Sequence, residues 1–117
     1  MEHNCPLNRV QLGYHTWNLL HTMVANYPDE PSPQKQEDIY QFFKLLARLY
    51  PCQACGRDFS HLLTQRPPVT NSQNTLSEWL CSIHNDVNQK IGKSIFDCNR
   101  VNERWRDGWN DGSCDQI

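Results

Sequence analysis

Two cysteines separated by two residues, in the run Tyr50-Pro51-Cys52-Gln53-Ala54-Cys55, carry the first chemical signal in this sequence. That spacing suits either half of a zinc site or a thiol pair that closes and reopens a small disulfide ring. Zinc would need a second close pair, yet the next cysteines, Cys81 and Cys98, have 16 residues between them, so no metal is expected. A thioredoxin-like site requires a strand before the pair and a helix after it, and the surrounding pattern is helical throughout. The remaining reading is an exchange-active pair in the first turn of a helix. There the helix dipole favours a thiolate by roughly 0.3–1 kcal/mol, and the motif itself lowers cysteine pKa. Either sulfur can then attack or leave without the chain unfolding. The competing reading is an inert clip at a helix start.

The other cysteines read differently. Cys81 falls inside an amphipathic helical segment and Cys98 opens the last segment, so a bond between them is expected to be structural, pinning the C-terminal arm. Cys5 and Cys114 lie near opposite ends of the chain, and their spacing is compatible with cyclisation within one molecule or with two equivalent bonds across a two-fold axis. A further polar set, Cys81, His84, Asn85 and Asn88, shares one face of the run CSIHNDVNQKIGK. It is either a partner-seeking stripe or a solvated face.

The elements that must position these groups are all helical. No run alternates with period two. Trp17, Leu20, Val24 and Tyr27, in the stretch from Gly13 to Tyr27, recur at spacings of three and four and predict a first helix ending at Pro28. Ser32 and Pro33 read as the N-cap and first residue of a second, with Ile39, Phe42, Phe43, Leu46, Leu49 and Tyr50 continuing to Pro51. A short third helix starts at Cys52, carries Phe59, Leu62 and Leu63, and breaks at Pro67-Pro68. Gly56, directly after Cys55, is expected to loosen its first turn. Thr75 and Glu78 suggest a capping box for a fourth helix with Trp79, Leu80, Ile83, Val87 and Ile91 inward, stopping near Gly92. Trp105 and Trp109 leave room for a short fifth. The expected fold is all-α, a compact antiparallel four-helix bundle with a short fifth helix, in a single domain over residues 1–117.

Composition narrows the function classes. Six cysteines in 117 residues favour an oxidising or redox-active setting. The net charge of −2, with acids and bases interspersed, gives no electrostatic footprint for nucleic acid. No apolar run reaches the ~20 residues of a membrane span, and the N-terminal MEHNCPLNRV lacks an apolar signal core.

Taken together, YPCQAC, HNDVNQKIGK, the Cys81/Cys98 spacing, HTWNLLH near the start and RWRDGW near the end resemble the Erv/ALR family of FAD-linked sulfhydryl oxidases, in order and over nearly the entire chain. The contexts of Cys5 and Cys114 look closest to the animal branch. The resemblance implies FAD held non-covalently within the bundle, and the sequence contains no Rossmann glycine fingerprint. It implies flavin contacts from Arg9, Gly13, Thr16, Trp17 and His21, from Tyr50, from Cys81, His84, Asn85, Val87, Asn88, Lys90 and Lys93, and from Arg104 and Trp105. Trp17, His84 and Trp105 can stack on flat rings, while the lysines and arginines can meet the pyrophosphate charge.

Further implications are catalysis by Cys52, as the outer sulfur, and Cys55, nearer the isoalloxazine, on thiol-containing protein substrates. Oxygen, with release of hydrogen peroxide, or cytochrome c would be the electron acceptor. A homodimer joined by Cys5 to Cys114 bonds and residence in the mitochondrial intermembrane space also follow, with the secretory pathway and cytosol as rival compartments. Many family members carry an N-terminal segment with a shuttle cysteine pair. None precedes Cys5, so the sequence reads as a short form or core domain. The non-enzymatic alternative is a disulfide-stapled helical interaction module.

Overall fold

The computed structural model describes residues 4–115. Regular structure among them is entirely helical: α1 (Arg9–Ala25), α2 (Pro33–Leu49), α3 (Gln53–Gln65) and α4 (Gln73–Lys90). A 3-10 turn at Cys98–Arg100 and a π-helical turn at Glu103–Asp107 follow. The all-α bundle is as expected, and several of its boundaries correct the sequence reading.

The first helix begins at Arg9, four residues before the stretch from Gly13 that the sequence marks out. Asn8 caps it, accepting from Gln11 N–H at 2.8 Å while the Gln11 side chain accepts from Asn8 N–H at 3.0 Å. This reciprocal pair satisfies two donors of the first turn. Ser32 caps α2 as expected, accepting from Lys35 N–H at 3.0 Å, with Pro33 in the first turn. For α4 the expected Thr75/Glu78 box is wrong. Ser72 is the N-cap, its hydroxyl accepting from Thr75 N–H at 3.1 Å, which makes Thr75 the third helical residue. The expected fifth helix is the 3-10 and π pair of turns, closed by Gly108 at φ +84°. A side chain there would be strained, and its Cβ would lie 2.9 Å from Cys114 Cβ.

The helices associate as α1 with α4 and α2 with α3, while the C-terminal turns lie against α4 and α1. Phe43 from α2 and Leu76, Leu80 and Ile83 from α4 are fully buried, and Leu20 and Val24 from α1 and Leu62 and Leu63 from α3 complete the core. Polar groups at the seams are paired. The Gln73 amide donates to Ala25 O at 3.1 Å and to Asn102 Oδ1 at 2.7 Å, and the Ser77 hydroxyl donates to Val24 O at 3.2 Å, so α4 supplies partners for the last carbonyls of α1. Trp79 donates its indole N–H to Arg66 O at 2.9 Å, closing the end of α3.

Gly56 does not loosen α3. It is buried, and a Cβ built on it would stand 2.5 Å from the carbonyl oxygen of Ala47. The absent side chain is what lets α2 and α3 approach so closely beneath the cysteine pair.

Candidate active site

Cys52 is the N-cap of α3 and Cys55 its third residue, and the two are joined by a disulfide with Cα atoms 5.3 Å apart. Cys55 N–H donates to Cys52 Sγ at 3.3 Å, so the sulfur performs the capping role usually taken by an oxygen. Both cysteines are half-buried.

One helical turn beyond Cys55, on the same face of α3, stands Phe59. Its ring meets Trp17 of α1 edge-on at 6.2 Å. Trp17 in turn stacks on His84 of α4, with centroids 3.9 Å apart and planes 7° from parallel. His21 Nε2 and His84 Nδ1 lie 2.8 Å apart, sharing one proton. His21 stacks on Trp105 at 4.6 Å and 9°. The guanidinium of Arg104 lies over the same Trp105 ring, 3.8 Å from its centroid. Three separate segments thus converge their flat side chains into one ring set, reached from the disulfide through Phe59.

Charge at this set is one-sided. Burial, then the neighbouring His84 and Arg104, push His21 down to about 3; burial and Lys93 push His84 down to about 4. Both imidazoles are therefore neutral near pH 7. Lys93 and Arg104, the cations that act on these imidazoles, form no ion pair with a carboxylate among the described residues. Neutral planar faces beside unpaired cations match a flat heteroaromatic ligand that carries phosphates.

The other residues singled out from sequence divide. Thr16 Oγ1 donates to Leu12 O at 2.7 Å and lies 3.4 Å from the Tyr50 hydroxyl, tying α1 to the residues preceding Cys52. A Cβ on Gly13 would meet nothing within 4 Å, so that turn of α1 faces open space. Asn85 holds the backbone of Phe96, donating to its carbonyl and accepting from its N–H, each at 2.9 Å. Asn88 is buried and donates to Asn85 Oδ1 at 3.5 Å. Cys81 is bonded to Cys98 with Cα atoms 5.8 Å apart. The polar stripe of α4 therefore faces inward, toward the C-terminal arm, and is not a solvated surface. Val87 packs on the hydrophobic core. Lys90 lines a groove between α3 and α4 with His61, Gln65 and Asp86, a groove to which no member of the ring set contributes. Arg9 is exposed at the first position of α1.

Phe59 and Phe96 were missed as site residues. The i, i+4 spacing of Cys55 and Phe59 was a legible signal, whereas the Asn85 to Phe96 clip joins a helix to an irregular segment and leaves no periodic trace. Cys5, exposed, and Cys114, half-buried, lie outside the two disulfides. Among the described residues no His, Cys, Asp and Glu side chains gather as a metal site, and no helix is long and apolar enough to cross a membrane.

Comparison with known proteins gives concordant results. A model described as the Erv1 / Alr family matches residues 14–106. The chain is 45% identical over 100 residues to an FAD-linked sulfhydryl oxidase of Oryza sativa subsp. japonica, covering 86% of this chain and 52% of that protein. It is 40% identical over 106 residues to a mitochondrial FAD-linked sulfhydryl oxidase of Saccharomyces cerevisiae, covering 91% and 56%. The chain thus spans about half the length of these curated relatives. The crystal structure of the yeast Erv1 core superposes with a TM-score of 0.89 at 39% identity, covering 91% of this chain and 90% of that one. The structure of the FAD-binding domain of Erv1 from Saccharomyces cerevisiae gives 0.86 at 38% identity, covering 90% and 100%.

Proposed function

The chain belongs to the Erv1/Alr family, and from that premise we propose that it is an FAD-dependent thiol oxidase that makes disulfides in protein substrates through Cys52 and Cys55. The observation that carries this reading is the path from Cys55 through Phe59 to a ring set flanked by unpaired cations. An inert clip would have no reason to stand one helical turn from the ring that meets this set.

Trp17, His21, His84 and Trp105 are the faces that would hold the flavin's flat rings. Arg9, Lys90, Lys93 and Arg104 would meet its phosphates. Gly13, Thr16, Tyr50, Cys81, Asn85, Val87 and Asn88 are the further flavin contacts that the family resemblance implies. Bound there, FAD would supply a two-electron acceptor for the reduced cysteine pair, with oxygen, giving hydrogen peroxide, or a cytochrome c type protein as the proposed final acceptor.

The chain's own part is thiol exchange. A substrate thiolate attacks Cys52 Sγ, the Cys52–Cys55 bond breaks, and Cys55 leaves as a thiolate. A second substrate thiolate then attacks the substrate sulfur of the mixed disulfide and releases Cys52. The substrate is oxidised by two electrons and the pair is reduced by two. Cys55 holds the displaced thiolate on the face of α3 that leads to Phe59. A thiolate in the first turn of a helix is stabilised by the helix dipole, which makes it a good leaving group.

Two further proposals rest on family resemblance. Subunits pair as a homodimer through bonds from Cys5 to Cys114. The mitochondrial intermembrane space is the proposed compartment, supported by mitochondrial relatives in Saccharomyces cerevisiae and Schizosaccharomyces pombe, with the secretory pathway and cytosol as rivals. Substituting Cys55→Ser tests the central reading. Dithiothreitol-driven oxygen consumption should vanish while the flavin's visible absorption stays with the purified protein. Normal turnover in that variant would refute it.

A further inference from the structure

A groove between the end of α2 and the start of α3 opens beside the cysteine pair. It is lined by Ala47, Arg48, Tyr50, Gln53, Gly56 and Arg57, with Ser60 at its far side. Its floor is the place where Gly56 comes up against Ala47. Tyr50 and Gln53 flank Cys52 in the chain, two positions before and one after, so the groove runs alongside the residue proposed to receive the substrate. No carboxylate lines it. Neither Arg48 nor Arg57 forms an ion pair among the described residues, and the Gln53 side chain makes no hydrogen bond there. Leu49, next to Arg48, is 77% exposed.

We propose that this groove is the docking site for the substrate polypeptide, and that it selects segments carrying acidic side chains beside the attacking cysteine. The inference rests on the thiol-oxidase reading and adds the substrate's chemistry to it. Two arginines with no ion-pair partner, one from α2 and one from α3, line a groove next to Cys52 in the chain and form a fork for carboxylates. Gln53 offers an amide to the substrate backbone. The same positive field raises the local concentration of thiolate, the anionic and reactive form of the substrate. The exchange step is unchanged: the substrate sulfur bonds to Cys52 and the electron pair of the broken bond leaves on Cys55.

The test uses two peptides of equal length, each with one cysteine activated by 2-nitro-5-thiobenzoate, flanked by aspartates in one and by lysines in the other. In the Cys55→Ser protein Cys52 stands alone and displaces the coloured thiol, and the adduct is located on Cys52 by mass. This readout does not depend on the cofactor. The aspartate peptide should react roughly tenfold faster at low ionic strength, the advantage should shrink in about 1 M salt, and Arg48→Glu with Arg57→Glu should reverse it. Equal rates for the two peptides, or a preference for the lysine peptide, would overturn the docking proposal. In the unaltered protein, a Cys52–Cys55 disulfide that dithiothreitol cannot reduce would overturn the thiol-oxidase reading itself, and the docking site with it.

Discussion

His21 and His84 show how a residue pair can be chemically tuned by packing alone. One proton lies between two ring nitrogens 2.8 Å apart, each ring is covered by an indole, and Arg104 and Lys93 stand near by. A second proton is opposed by burial and by those cations. Because both imidazoles titrate well below the ordinary 6.5, the unfolded chain takes up protons before the folded one does. The stability they contribute is therefore complete above about pH 6.5. It is lost as pH falls toward the folded values of about 4 and about 3. Melting temperature should decline between pH 6.5 and about 4.5, above the range where most carboxylates protonate. His21→Phe, which keeps a flat ring against Trp105, should make that decline shallower. A flat melting profile for the unaltered chain over this window would contradict the pairing. The individual rings were legible in the sequence because Trp17, His21, His84 and Trp105 sit in recognisable motifs. Their mutual stacking was not, since it depends on α1, α4 and the C-terminal arm meeting in space.

At the scale of elements, the C-terminal arm is positioned by one side chain as much as by a covalent bond. Asn85 imitates a backbone amide, answering both the N–H and the carbonyl of Phe96 just ahead of Cys98. Asn85→Ala strands both groups and should cost roughly 1–3 kcal/mol, read as a shift in the urea midpoint. A change below about 0.5 kcal/mol, the scatter of ordinary surface substitutions, would show the clip to be idle. The four helices were legible from apolar spacing because each buries one stripe against a shared core. The ends were less so. Leu7 and Val10, at the start of α1, are exposed, so the periodic signal begins late and only the Asn8–Gln11 capping pair marks the true start. In Asn-Ser-Gln-Asn-Thr two hydroxyl residues compete for the cap of α4, and local polarity does not rank Ser72 over Thr75. The π turn after Cys98 follows from how the arm is tethered, which no local pattern encodes. Gly56 was legible as a helix weakener; the neighbour that makes a smaller side chain useful, Ala47, lies on another helix.

At the scale of the whole molecule, the proposed dimer makes a prediction about covalent connectivity. With Cys5 of one subunit bonded to Cys114 of the other, the protein should run as a dimer in non-reducing electrophoresis, and Cys5→Ala should run as a monomer. Persistence of the covalent dimer in that variant would rule out this pairing. The sequence suggested that Cys81 and Cys98 pin the C-terminal arm, and the structure shows what the tether delivers: the segment bearing Trp105 is held where it meets His21. The redox pair has a different place in the architecture. Cys52 is at once the sulfur proposed to accept electrons and the group that terminates α3, through the hydrogen bond from Cys55 N–H. Once the second exchange releases Cys52 from the mixed disulfide, that sulfur becomes a better acceptor, because a thiolate gains more than a neutral sulfur from the amides of a helix start. The scaffold should hence keep one backbone shape through the whole redox cycle, so that turnover is set by encounter and exchange, with no step of local melting and re-formation between rounds.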